Sequence, residues 1–152
     1  MRTTRQYGRK ADLALSMWVK LARAFGTFSK LTGEDIRTHG LTPPQFAVLE
    51  SLGHLGALTL GELSKKQLTS CGNTTVIVDN LEKEGLVARF PSKDDRRVIF
   101  ARLTPKGRNF FKQIFTKHAV HVEKLASVLS DDEQEELGRL LKKLGMRLQE
   151  KR

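Results

Sequence analysis

The chain has 152 residues, with 27 Lys and Arg against 17 Asp and Glu, which gives a net charge of +10 and a pI near 10.1. This length allows one domain with a sizeable core, or a small module with helical arms. The excess of cations favours a polyanionic partner, because neutralised phosphates release condensed counterions. Charge alone would also fit a ribosomal protein or a protein that lies on a membrane surface.

Two classes of protein are disfavoured by the sequence. No apolar run approaches the roughly 18 residues that span a bilayer, and no long apolar stretch follows the basic N-terminus as it would in a secretory signal. The single cysteine, Cys71, excludes an intramolecular disulfide and fits a reducing compartment. We therefore expect a cytoplasmic protein with no membrane partner.

The helices are predicted from apolar spacing and from their start signals. Spacings of three and four predict a first helix over residues 10–33. Three later helices share a capping box, in which a Ser or Thr is followed three residues later by Glu or Gln. These pairs are Thr42 with Gln45, Thr59 with Glu62 and Ser130 with Glu133, and Thr104-Pro105 marks a further start.

The central region changes period after Gly85, a glycine placed to end the helix before it. Helices are predicted over residues 43–55, 60–67 and 71–84, followed by strands at 86–90 and 98–103 around a charged turn. Two helices follow Pro105, the second capped by Ser130. The predicted class is a mostly α fold with a small β-hairpin (α+β).

The domain organisation follows from the apolar stripes. A compact lobe at residues 39–104 is flanked by long helices at 1–38 and 105–152, whose apolar faces the lobe is too small to cover. A second copy of the chain is the simplest partner for those faces. We expect the flanking helices to mediate dimerisation, giving one intertwined domain over residues 1–152.

A helix followed by a hairpin with a charged tip is the outline of a winged helix-turn-helix, in which the helix enters the DNA major groove. In the 71–84 helix we expect Thr74, Ile77, Val78 and Leu81 to share the inward face. The opposite face is mostly small and uncharged, with Asp79 as an exception, which suits contact with base edges. An ordinary solvated face is the alternative interpretation. The residues predicted to contact DNA are Thr69, Ser70, Gly72, Asn73, Thr75, Val76 and Asn80.

The hairpin tip is the second predicted DNA contact. Lys93, Asp95, Arg96 and Arg97 lie in the turn, and a pair between Asp95 and Arg97 could direct a guanidinium into a narrow minor groove. A charged tip is common on soluble proteins, so its position after the helix carries the prediction.

Three segments resemble the MarR family of bacterial transcription regulators: 80–87 (NLEKEGLV), 94–98 (DDRRV) and 103–107 (LTPKG). The resemblance implies a winged-helix homodimer whose terminal helices interleave, with two wings straddling a pseudo-palindromic operator. On that pattern Arg97 enters the minor groove and Asp95 orients it. Repression is the direction that the resemblance favours. Val76 departs from the basic or polar residue of many relatives, so base preference does not carry over.

The resemblance also implies an effector, and the sequence offers a candidate for each known type. A small phenolic or aromatic ligand could be lined by Trp18, Phe25, Phe28, His39, Phe46 and Phe111, although aromatic residues at such spacings are more often core. Cys71, at the start of a helix, could sense oxidants, or be a small buried apolar group. His118 and His121 fit a hydrogen-bonded pair better than a zinc site, so we expect no metal and no cofactor.

Other functions are less well matched. We expect no enzyme, because the sequence has no phosphate-binding glycine loop, no metal-protease pair and no nucleophile elbow. A non-specific architectural or RNA-binding protein is the main alternative, and it would usually carry denser basic runs or stacking aromatics. A winged helix used only for protein contact is the third.

Overall fold

The computed structural model describes residues 7–67, 71–95 and 97–150. Within these ranges helices dominate, and the predicted mostly helical class with a small β element is confirmed. None of the helices described is both long and apolar enough to cross a bilayer. The elements are α1 (Arg9–Thr38), α2 (Pro43–Leu55), β1 (Leu58–Thr59), α3 (Leu60–Lys66), α4 (Cys71–Lys83), β2 (Val87–Pro91), β3 (Ile99–Leu103), α5 (Pro105–Ala126) and α6 (Asp131–Gln149).

The predicted capping boxes set the starts of three helices. At α2 the Thr42 side chain accepts the Gln45 N–H, and the Gln45 side chain accepts the Thr42 N–H at 2.9 Å. The same reciprocal pair begins α3 and α6. At α5 the Thr104 hydroxyl accepts the Gly107 N–H at 2.9 Å. These starts depend on residues three apart, which is why the sequence locates them well.

The sheet has three strands instead of the predicted two. Its order is β1-β3-β2, and both pairings are antiparallel. In β1, Leu58 lies opposite Ala101. The hairpin strands also begin one residue later than predicted, since Leu86 and Val98 lie just outside β2 and β3. A two-residue strand next to a helix cap is too short to show a period of two, so sequence analysis missed β1.

The chain divides into two compact units, one ending at His118 and the other beginning at Ala119. The core of the first unit lies among α2, α3, α4 and the sheet, with Ile36 of α1 and Phe111 and Ile114 of α5 added to it. Helix α4 contributes the predicted face to it: Thr74, Ile77, Val78 and Leu81 are buried. Each large apolar side chain buried in this way contributes about 1.5–3 kcal/mol, so α4 is held firmly by its inner face.

Long apolar stripes remain uncovered within the single chain, as the sequence predicts. In the first unit, α1 exposes Leu13, Trp18 and Phe25. In the second unit, α6 has no buried residue and exposes Leu137, Leu140, Leu141 and Leu148. Exposed apolar faces of this extent are typical of surfaces that bind a partner.

Candidate nucleic-acid interface

The first element of the candidate interface is α3, which precedes the predicted recognition helix α4. Glu62 accepts the backbone N–H of Thr59 at 2.8 Å, which fixes the start of α3. That hydrogen bond is the main reason why the pKa of Glu62 lies below its usual value. Leu63 is fully buried, and Lys65 and Lys66 place two cations in the last turn of α3. Leu63 and Ser64 are the buried residues of α3, and its last turn carries positive charge.

The predicted recognition face of α4 is accessible. Gly72, Asn73, Val76 and Asn80 are exposed, and Thr75 is half-buried. These residues present two amides and aliphatic groups and bear no charge, and the neighbouring Asp79 carboxylate is half-buried and paired with an arginine of β2. An amide can pair with an adenine edge and a valine methyl can contact a thymine methyl, so the chemistry of this face suits base readout.

Three of the predicted DNA-contact residues, Thr69, Ser70 and Arg96, lie outside the described residues. Cys71 is the first residue of α4, as predicted, but its side chain also lies outside what is described. A redox role for Cys71 stays a prediction.

The wing tip, residues 92–98, is a tight turn between β2 and β3. The Ser92 N–H donates to the Val98 carbonyl at 2.8 Å, and the Val98 N–H donates to the Asp95 carbonyl at 2.9 Å. Lys93, Asp95 and Arg97 are exposed. The tip thus offers cations on a hairpin whose backbone is internally hydrogen-bonded.

The expected pairing of Asp95 with the Arg97 guanidinium is corrected by the structure. The Asp95 carboxylate accepts the backbone N–H of Arg97 at 2.9 Å. This is the short-range bond that an Asp makes two residues ahead in a turn, and it competes with the side-chain pair. Asp95 therefore shapes the backbone of the turn, and the Arg97 side chain extends from it.

A cluster that sequence analysis missed joins α4 to the wing. Arg89 of β2 donates from Nη2 to Asp79 at 2.6 Å and to Glu82 at 2.6 Å. Its backbone N–H also donates to Glu82, at 3.1 Å. These bonds with Arg89 lower the pKa of Glu82, the backbone bond most of all. The spacing of Asp79 and Glu82 on one side of α4 is a signal for such a partner, but their residue in β2 cannot be identified without the fold.

Of the six residues predicted to line a ligand pocket, His39 is half-buried and the other five fall into two groups. Trp18, Phe25 and Phe28 are exposed on α1, whereas Phe46 and Phe111 are buried in the core. The Phe46 ring lies 4.7 Å from the imidazole of His118 and stacks on Phe115. The pocket itself stays a prediction, and within one chain the two buried rings serve the core.

A second contact that the sequence did not predict gives the buried imidazole of His118 a polar partner. Its Nδ1 lies 2.7 Å from the Asp35 carboxylate, which joins α5 to α1, and His118 is buried. His39 lies farther from the same carboxylate, at 3.9 Å. Across the described parts of the chain, no three His, Cys, Asp or Glu side chains are grouped as a metal ion would require.

The α3–α4 pair, followed by the β2–β3 hairpin with its charged tip, defines a winged helix-turn-helix. A sequence model of the MarR family matches residues 41–99. The regulator MhqR of Bacillus subtilis is 38% identical over 135 residues, covering 89% of this chain and 93% of its own. The chain belongs to the MarR family of transcription regulators.

Two solved structures share the fold. A cysteine-to-serine variant of Escherichia coli MarR, in complex with operator DNA, has a TM-score of 0.72 and 28% identity, covering 84% of this chain and 95% of that one. NadR in complex with 4-hydroxyphenylacetate has a TM-score of 0.74 and 22% identity, covering 95% and 97%. The likeness to NadR shows the fold alone.

Proposed function

We propose that this chain is a sequence-specific DNA-binding repressor that acts as a homodimer on a pseudo-palindromic operator in the cytoplasm. The observation that carries the proposal is the uncharged, exposed face of α4, which lies opposite a fully buried face and is followed by a cationic wing tip. The relatives that this chain matches are transcription regulators, and one solved neighbour holds operator DNA.

In the proposed complex α4 lies in the major groove. Asn73 and Asn80 offer donors and acceptors to base edges, Val76 contacts a thymine methyl, and Gly72 allows close approach. Thr75 is half-buried, so its part is smaller than the sequence suggests. The buried inner face fixes the helix, so the exposed groups need little reordering on binding.

The wing supplies the second contact. Arg97 projects from a turn that is closed by its own backbone bonds, which favours insertion into the minor groove without loss of much conformational entropy. Lys93 contributes charge to the DNA backbone. Asp95 contributes by shaping the turn.

Dimerisation is supported by the apolar faces of α1 and α6. Trp18 is 60% exposed, Phe25 is 69% exposed and Leu148 is 56% exposed in the single chain. A second copy would cover such surfaces and place two recognition helices on one duplex, with half-sites about 10 bp apart.

The effector is proposed to be a small aromatic compound. NadR, which shares the fold, is known with 4-hydroxyphenylacetate. Trp18, Phe25 and Phe28 offer exposed aromatic surface on α1 for such a ligand, once a second chain adds a further wall. A panel of phenolic acids tested for release of bound DNA checks this; no release by any of them counts against it.

The test of DNA recognition starts with duplexes selected from a random pool by the wild-type chain. Fluorescence anisotropy then compares a selected duplex with a scrambled one at the same salt. Asn73→Ala is expected to lose about 1–3 kcal/mol on the selected duplex only, and Lys93→Ala to weaken both duplexes alike. Equal binding of both duplexes by the wild type would instead indicate the architectural alternative.

A further inference from the structure

We propose that Arg89 is a positioning residue: by bridging Asp79 and Glu82 it sets the wing against α4, so that Arg97 reaches DNA only while the bridge is intact. The inference rests on the proposed function. We call Arg89 with these two carboxylates the Arg89 bridge.

The Arg89 bridge is a forked contact. Nη2 lies 2.6 Å from Asp79 Oδ1 and 2.6 Å from Glu82 Oε2, and Nε lies 2.9 Å from the same Glu82 oxygen. A planar guanidinium with fixed donors can hold two carboxylates in one geometry, which an ammonium cannot do. The contact therefore fixes the orientation of β2 relative to α4 as well as the distance between them.

The bridge also occupies the free edge of the sheet. In the order β1-β3-β2, strand β2 has a neighbour on one side only. The Arg89 N–H donates to Glu82 Oε1 of α4 at 3.1 Å, so a helix side chain takes the place of a further strand. The two faces of the contact, backbone and side chain, attach β2 to α4 at one point.

The position of Arg89 along the hairpin explains its proposed role. The base of the hairpin is held by the buried side chains of Val87 and Leu103. Strand β3 is held along its other edge by β1, as far as Phe100 opposite Thr59. On the β2 side, Arg89 is the polar anchor nearest to the tip. Its loss removes these polar bonds between β2 and α4.

Two features separate this bridge from an ordinary surface pair. The Arg89 side chain is 29% exposed, against 61% for Arg139 in its pair with Glu136 on α6. Exposed pairs contribute little, because solvent screens them and the side chains lose entropy. Removing Arg89 also leaves Asp79 and Glu82 facing each other without their shared cation, so repulsion adds to the loss.

The experiment is a pair of mutant cycles on a selected operator, read by anisotropy below the melting temperature of every variant. Arg97→Ala alone is expected to weaken binding roughly tenfold or more. In the Arg89→Met background, Arg97→Ala is expected to add less than about a twofold loss, since coupled residues are not additive. Asn73→Ala should keep its full effect in that background, because α4 is held by its buried face.

The controls separate positioning from general stability. Lys30→Met removes a cation from the exposed pair with Glu34 on α1. Used as the background in place of Arg89→Met, it should leave the effects of Arg97→Ala and Asn73→Ala unchanged. If Arg89→Met does not fold, Arg89→Lys replaces it, since it keeps the charge without the fork. Full additivity of the Arg89 and Arg97 substitutions would overturn the inference. If the wild type does not distinguish operator from scrambled DNA, the proposed function fails and the inference falls with it.

Discussion

Gly107→Ala tests the packing that joins the wing to α5. Gly107 is buried in the first turn of α5, and a Cβ built there would overlap the carbonyl oxygen of Leu86 and lie 2.8 Å from its carbon. That carbonyl accepts the Thr104 N–H at 3.0 Å, so it cannot move away without loss of a hydrogen bond. The Leu86 atoms are main-chain atoms and the position of the added Cβ is fixed by the α5 backbone, so the overlap can be removed only by shifting main chain.

The magnitude follows from the terms involved. Overpacking costs about 1–3 kcal/mol and a lost hydrogen bond about 1 kcal/mol more, while alanine recovers at most about 1 kcal/mol of helix propensity. We expect a net loss of about 1–3 kcal/mol, or a fall in Tm of roughly 3–10 °C for a chain of this size.

The assay is thermal and urea unfolding followed by circular dichroism, at one protein concentration because a dimer's stability depends on it. Gly61→Ala is the matched control, since its Cβ would meet only the Thr59 hydroxyl at 4.0 Å. That variant should equal the wild type or exceed it slightly. Wild-type stability for Gly107→Ala would refute the close approach of α5 to Leu86.

Three further predictions concern the core, the bridge and the wing. Leu81→Ala removes a fully buried side chain of α4 and should cost about 2–5 kcal/mol in urea unfolding, whereas Val76→Ala on the exposed face should change stability by less than about 0.5 kcal/mol. Arg89 lowers the pKa of Glu82 in the folded chain, so the Glu82 carboxylate stabilises the fold at pH values above its usual pKa of 4.5, and that contribution is lost as pH falls. Glu82→Gln should therefore lower the free energy of unfolding at pH 7 and approach the wild-type value in acid. A constant difference from the wild type at every pH would contradict this. Arg97→Ala should reduce the slope of log K against log salt by about 1, and an unchanged slope would mean that this side chain does not neutralise a phosphate.

Features that depend on neighbouring residues could be predicted from the sequence. The capping boxes located the starts of α2, α3 and α6, and the period of apolar residues identified the buried face of α4. Gly85 was placed as the glycine that ends α4, and it has a φ of 71°, in the left-handed region that favours glycine. All of these signals lie within a few residues of the feature that they predict.

Features that depend on residues far apart in the chain could not be predicted from the sequence. Asp35 and His118 meet across 83 positions, and no local pattern connects them. Arg89 contacts Asp79 and Glu82 only because the chain turns back at Gly85 and the hairpin packs against α4. The predicted side-chain pair at the wing tip was wrong for a local reason. Asp95 lies near enough to Arg97 to pair with its guanidinium, but the Asp95 carboxylate accepts the Arg97 backbone N–H instead.

The most direct measurement is a titration of the chain onto a selected operator and onto the same duplex with one half-site scrambled, with stoichiometry and affinity determined together. Two chains should bind each intact operator, and the scrambled half-site should weaken binding at least about tenfold, given the roughly 1–3 kcal/mol that each mismatched base pair costs. Binding of a single chain, or equal affinity for both duplexes, would contradict paired recognition by the exposed face of α4.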